Sequence, residues 1–283
     1  MRIYVSVDME GLAGVAHAQQ VTFGPGIDRA DYDRSRALMA GETNAAIEAA
    51  RNGGAREVIV NDSHWQMRNL RAEDLTGDAN ARLIIGDKPL SMTQGVGEGP
   101  DGAFYGAAFI GYHAGAGNAT GVIAHTYSSA SVMELRVNGV AHNEAGINAI
   151  RLGHHGVPVM LVAGDDALAA EVERLLPWAE RVVVKRSLGS SLADSMLPAE
   201  AHAAIRDGMA RAMARLDEMQ VYAPSTPLRG EIDLRLPVMA DYAAVLPGVE
   251  RLGPRTIGFG GKDGDELYRL FVCLLRLAAV PAA

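Results

Sequence analysis

The residues whose types and spacing suit chemistry in this chain are carboxylates and histidines that follow short apolar runs. In the first run side chains alternate, so Ile3, Val5 and Val7 share one face while Tyr4, Ser6, Asp8 and Glu10 share the other. Two carboxylates therefore stand together at the run's carboxyl end. The run Glu57 to Val60 leads into Asn61-Asp62-Ser63-His64, and GAAFI leads into Gly111-Tyr112-His113. His125 lies twelve residues after His113 in GVIAHTY, and Glu144 opens a helix after the turn at Val137 to Val140. Each has an ordinary explanation alone: a solvated loop or helix cap for Asp8 and Glu10, the helix macrodipole for Glu144, a surface or core position for a single histidine. Together they meet at one rim, because open α/β sheets bind ligands outside the carboxyl ends of their strands. Mixed imidazole and carboxylate donors suit zinc, whereas purely oxygen donors suit calcium or magnesium. Three carboxylates and the two strand-end histidines, His64 and His113, exceed what one catalytic zinc takes, and two ions sharing a bridging carboxylate match that count.

The elements that must position these residues form an α/β pattern. Short Val- and Ile-rich runs predict strands at Ile3 to Val7, Glu57 to Val60, Leu83 to Ile85, Ala103 to Ile110, Val132 to Val137, Val157 to Val162 and Arg181 to Lys185. Helices are expected at Asp31 to Arg51, with Gly53 and Gly54 as a glycine stop, and at Asn143 to Leu152, Asp165 to Leu176 and Pro198 to Gln220. The expected fold is a Rossmann-like, mostly parallel sheet flanked by helices over residues 1–186, with a smaller α+β domain over 187–283. The tail LYRLFVCLLRLAAV is broken by Arg269 and Arg276 and is shorter than the about 20 residues of a membrane span. It reads as a buried amphipathic helix.

Composition removes several classes of function. The 283 residues carry 26 Lys plus Arg against 34 Asp plus Glu, a net charge of −8, which disfavours a nucleic-acid partner. The single cysteine, Cys273, excludes an internal disulfide and a cysteine-built zinc site. No signal-peptide pattern precedes the first strand, so a cytoplasmic protein with no membrane partner is expected. Lys88, Lys185 and Lys262 are the only lysines, a rarity that reads as arginine-biased composition.

Other motifs carry less. Gly164-Asp165-Asp166 reads as a helix cap with an acidic first turn. His142, His154 and His155 read as surface residues at helix boundaries, and His17 as a loop residue near Glu10. Gly95, Gly97 and Gly99 lack the strand-loop-helix context of a phosphate loop, and Gly261-Lys262-Asp263 lacks the Ser or Thr of a nucleotide motif.

The ordered series SVDMEG, Glu42 and Asn44, VNDSH at 60 to 64, GYHAGAG at 111 to 117, GVIAHT at 121 to 126, Glu144, VPVMLVAGDD at 157 to 166 and VVVK at 182 to 185 resembles the binuclear zinc D-aminopeptidases associated with bacterial dipeptide permeases. The resemblance spans roughly residues 1 to 200. It implies that Asp8, Glu10, His64, His113 and Glu144 hold two zinc ions, with Asp8 bridging, and that His125 is the catalytic histidine. It also implies a self-compartmentalising homodecamer acting on short peptides that begin with a D-amino acid. One departure is His142-Asn143 before Glu144, where the family commonly has a small residue, and this bears on the pocket edge. The competing readings are another binuclear metal amidohydrolase or an L-specific aminopeptidase on the same scaffold, and a peptide-binding protein without turnover.

Overall fold

The first strand, β1 (Arg2–Val7), is buried along almost its whole length, which is why it reads as an unbroken β-rich run rather than a half-polar one. The computed structural model describes residues 1–76, 80–98 and 104–279. Ala103, Gly99 and Val280, expected in a strand, a glycine loop and the final helix, lie outside the described residues. A seven-stranded sheet is built from β1, β2 (Glu57–Asp62), β3 (Ala81–Ile84), β4 (Gly106–Ile110), β7 (Val159–Asp165), β8 (Glu180–Gly189) and β9 (Leu192–Ser195), in the order β3-β2-β1-β4-β7-β8-β9. Every neighbouring pair is parallel except β8 with β9. The expected mostly parallel sheet flanked by helices is thus present. Its order reverses direction between β1 and β4, the switch point at which doubly wound folds bind ligands.

Helices α2 (Arg29–Asn52) and α5 (Pro198–Ala214) cover one face, packing Met39, Ala46, Ala50, Ile205 and Met209 on Val5, Val60, Ala108 and Leu161. Small residues on both helices allow close approach to each other and to the sheet. The opposite face receives α3 (Glu144–His154) and α4 (Asp166–Leu175) through Ala145, Ala149, Leu152, Leu168 and Val172. A short α1 (Ala18–Val21), capped by His17, sits in the loop after β1.

A second sheet, ordered β11-β12-β10-β5-β6, joins β5 (Val132–Val137) and β6 (Val140–Ala141) to β10 (Leu228–Leu234), β11 (Glu250–Arg251) and β12 (Thr256–Gly261). Helices α6 (Pro237–Ala243) and α7 (Gly264–Ala278) share its core with Ile147 and Ile150 of α3. So α3 is buried between the two sheets. The sheets do not separate at residue 186: β5 and β6 come from the middle of the chain, while β9 and α5 extend the first layer set.

Several boundaries differ from expectation for local reasons. The helix from Pro198 ends at Ala214 and a short 3-10 turn at Leu216–Glu218 follows, rather than continuing to Gln220. The strand expected at Val157 runs from Val159 to Asp165, and Asp165 then caps α4 by accepting from the Leu168 amide. Among the described residues no helix is long and apolar enough to cross a membrane.

Candidate metal centre

Asp8 is the first residue beyond β1, and its amide donates to the Ile110 carbonyl at 2.8 Å, while the Gly11 amide donates to Gly111 at 2.8 Å. The loops after β1 and β4 are therefore fused at the switch point. Glycine is required on both sides: a Cβ at Gly11 would lie 1.7 Å from the Tyr112 carbonyl oxygen, and one at Gly111, whose φ is +70°, 2.2 Å from the Asp8 carbonyl oxygen. This contact carries Asp8 and Glu10 beside His113. His64 arrives from the end of the adjacent β2, where Asp62 accepts from the Asn69 and Leu70 amides and shapes the following turn. Glu144 arrives on the first turn of α3, capped by Asn143, whose side chain accepts from the Gly146 amide.

The six expected residues form one cluster. Ligand atoms of Asp8, Glu10 and His64 lie within 4.8 Å of one another, as do those of His113, His125 and Glu144. Asp8 faces both groups: Oδ1 is 3.1 Å from His64 Nδ1, and Oδ2 is 3.5 Å from His113 Nε2. His64 Nδ1 is also 3.0 Å from Glu10 Oε2, and His113 Nε2 is 3.5 Å from Glu144 Oε1. His113 Nε2 is buried and has no hydrogen-bond partner among the described residues.

The far nitrogens fix the rings. His64 Nε2 donates to the Val21 carbonyl at 2.6 Å, His113 Nδ1 to Ala114 at 3.0 Å, and His125 Nδ1 to Ile123 at 2.9 Å. Each bond leaves the other nitrogen's lone pair facing the carboxylates, the arrangement of metal-ligating histidines. The ring of His125 stacks on that of His113 with centroids 4.1 Å apart. It is the most exposed of the six, with 16% of its side chain accessible, against 7% or less for the other five.

Burial disfavours charge throughout the cluster. At Asp8 burial and the neighbouring Glu10 charge raise the carboxyl above its usual range. At Glu10 and Glu144 burial acts the same way but is outweighed by His64 and His113 respectively, which hold both carboxyls low. Burial also opposes charge on the two imidazoles, yet the facing carboxylates raise them well above their ordinary value. So dense a set of buried carboxylates demands positive charge. An unpartnered imidazole nitrogen and mixed N/O donors in two groups, with Asp8 of one 3.5 Å from His113 of the other, fit a pair of zinc ions.

Beneath the cluster, polar groups on the sheet's ligand-facing side are satisfied. Ser6 Oγ meets Ser63 Oγ at 2.6 Å and the Tyr112 hydroxyl at 2.7 Å, and Asn148 links Tyr112 to Tyr127. The Tyr127 amide donates to Glu144 Oε1 at 2.6 Å. Trp65, Met67, Ser91, Ile123 and Tyr127 all adopt positive φ, and every one but Ile123 lines the pocket over the cluster. Strained backbone concentrates around this site.

Two of the three lysines, whose rarity reads as arginine-biased composition, hold the site's loops. Lys185, at 2% exposure, donates to the carbonyls of Glu10, Leu12 and Val15, and Lys88 donates to Asn61 Oδ1 and the Asp62 carbonyl ahead of His64. Burial brings each ammonium down to about 8. An ammonium offers three donors to converging carbonyls, which a planar guanidinium cannot match. Lysine among so many arginines was the available signal. His142, expected at the surface, is instead buried, bonded to the Val140 carbonyl and 3.0 Å from the Tyr222 hydroxyl, and does not line the pocket. His17, His154 and Asp166 stay outside the cluster, as does Asp165, whose second oxygen accepts from the Val122 amide.

A cavity of about 430 Å³ opens over the cluster. Asp8, Glu10, His64, His125 and Glu144 form its base, with Trp65, Met67 and Met92 as an apolar wall and the last turns of α7 closing a side.

A model of the D-aminopeptidase family matches residues 1–273. A D-aminopeptidase of Bacillus subtilis (strain 168) is 36% identical over 280 residues, covering 98% of each chain. A solved structure, described as the Zn-dependent D-aminopeptidase DppA from Bacillus subtilis, a self-compartmentalizing protease, superposes with a TM-score of 0.91 at 35% identity over 100% of both chains. With the cluster, the switch-point geometry and this likeness along the whole length in agreement, the chain belongs to the D-aminopeptidase family.

Proposed function

We propose that this protein is a zinc-dependent aminopeptidase that removes an N-terminal D-amino acid from short peptides, with two zinc ions held by Asp8, Glu10, His64, His113 and Glu144. The observation that carries the reading is the position of Asp8, whose two oxygens face two separate groups of donors. In this reading Asp8, Glu10 and His64 would hold one ion, and His113 and Glu144, with Asp8 beside them, would hold the other. Zinc held there would supply Lewis acidity and would lower the pKa of a water molecule toward neutrality.

The chain's own groups handle substrate and protons. Glu144 is fixed by the Tyr127 amide and Glu10 by the Lys185 tether on its carbonyl, so neither ligand needs to reorganise. His125 Nδ1–H is held by Ile123, which leaves Nε2 free to receive a proton from the attacking water and pass it to the leaving amine. As the water oxygen bonds to the carbonyl carbon and the C–N bond breaks, that transfer balances the charge. The apolar wall of Trp65, Met67 and Met92 takes side chains and limits bulk water over the base.

The same reading takes the protein as a homo-oligomer, with a decamer as the specific form and a cytoplasmic location. The relative described as self-compartmentalizing supports the assembly, and the single cysteine is consistent with the location. Metal analysis is expected to give two zinc ions per chain, and paired assays of D- and L-alanyl anilides to give zinc-dependent turnover of the D form. Preferred cleavage of the L form, or turnover in the absence of divalent metal, overturns the proposal. Light scattering showing only a 29.9 kDa monomer overturns the assembly.

A further inference from the structure

Asp8, Glu10 and Glu144 stand in the lining of the pocket, where two zinc ions would offset their charge, and a basic side chain lines the same space. Val272, Leu275, Arg276 and Ala279, spaced at i, i+3, i+4 and i+7, line the pocket from one face of the last turns of α7. Arg276 is the only lysine or arginine among the described residues lining it. Its guanidinium makes no hydrogen bond or ion pair with any described residue, unlike Arg269 one face away, which pairs with Asp265 at 2.5 Å. Asp241, Asp263 and the other acids of the second sheet's layer pair elsewhere or lie outside this pocket.

A peptide cut at its free amino end presents a second, opposite charge at its far end. If the peptide is short, that α-carboxylate lies within the same cavity of about 430 Å³ as the scissile bond. A cation lining that space matches its charge. We propose that Arg276 binds the free α-carboxylate of the peptide substrate and so selects short peptides that end inside the pocket. This rests on the aminopeptidase reading above. Arginine suits the role because its fork of donors pairs with both carboxylate oxygens at once. Val272 and Leu275 line the pocket beside it. Arg276 is a binding and specificity residue and takes no part in the proton transfers.

The test compares D-alanyl-D-alanine with D-alanyl-D-alaninamide, which differ only in the terminal charge, on zinc-loaded wild type, Arg276→Gln and Arg276→Lys. The wild type is expected to prefer the free acid in kcat/KM by on the order of 10- to 100-fold, the range of a charged hydrogen-bonded pair, and mostly through KM. In Arg276→Gln the acid-to-amide ratio is expected to fall to near one, with partial recovery in Arg276→Lys. Equal use of acid and amide by the wild type overturns the inference, as does an equal loss on both substrates in Arg276→Gln. A D-alanyl anilide, which has no terminal carboxylate, separates the two levels. Wild-type turnover of the anilide without acid preference sinks only the role of Arg276, whereas no turnover of any D substrate sinks the aminopeptidase reading and this inference with it.

Discussion

Replacing Lys185 by methionine leaves an unbranched apolar chain one heavy atom shorter and removes one buried ammonium. Its Nζ lies 2.5 Å from the Glu10 carbonyl oxygen, 3.0 Å from that of Leu12 and 2.6 Å from that of Val15. Each carbonyl stranded without a donor costs about 1–3 kcal/mol, and three together about 3–9 kcal/mol. Methionine also removes a penalty, because burial lowers the lysine to about 8 from 10.5. That shift makes the charged form cost about 3 kcal/mol at pH 7. The difference is a net loss centred near ~3 kcal/mol, about 1 M in urea midpoint for an m-value near 3 kcal/mol per M. The function should suffer beyond the fold, because the released segment carries Glu10. A ligand displaced by about 1 Å can cost on the order of 100-fold in rate. The assay is urea unfolding of the zinc-loaded protein at pH 7, with zinc content and anilide turnover on the same preparation. Wild-type midpoint, zinc content and turnover in Lys185→Met would refute the claim that this ammonium holds the Glu10 loop.

Glu42 accepts from the Ala13 amide, has a buried second oxygen without a partner among the described residues, and is raised by burial to about 7. Its contribution is intact below the unfolded value of 4.5 and lost as pH rises through 7, so Glu42→Gln should gain on wild type by up to about 3 kcal/mol between pH 5 and 8; equal melting temperatures at both ends of that range would contradict this. His125→Ala is expected to keep its zinc and lose on the order of 100-fold or more in kcat, whereas Asp8→Ala should lose zinc as well, by metal analysis and steady-state kinetics. Full turnover in His125→Ala would remove it from the proton path. Asp265 accepts from Arg151, His155 and Arg269, and although burial works against its charge those partners bring it to about 2. It should therefore contribute ~1–2 kcal/mol, after discounting its partial exposure, above pH 4. That contribution fades toward pH 2, so the stability gap between wild type and Asp265→Asn should narrow over that range in acid unfolding.

Much of the site was legible because strand ends are local. A β-rich run followed by a polar turn carries its own signal, so the positions of Asp8, His64 and His113 at carboxyl ends needed no tertiary information. Glu144 at the start of α3 was legible in the same way, through Asn143 and the turn before it. Val132 to Val137 also declared itself a strand, but period-2 alternation does not name a partner. The pairing with β10, nearly a hundred residues later, placed it in the second sheet. His142 looked like a surface residue because nothing nearby in sequence buries it; Tyr222 does. The helix from Pro198 was read too long because Arg215 to Gln220 keeps a helical composition after the backbone has turned.

Residue types alone narrowed the kinds of donor available to a metal. One cysteine left imidazole and carboxylate as the zinc-type ligands, and the alternation of β1 placed Asp8 and Glu10 on one side. Only the tertiary structure decided that Asp8 stands between two groups of donors. That depends on the order β2-β1-β4, which sets His64 on one flank of β1 and His113 on the other. It also decided that Lys185 matters, since the carbonyls it ties are some 170 residues away. A backbone carbonyl has no side-chain signature, so no pattern of residue types can announce which ammonium it will meet.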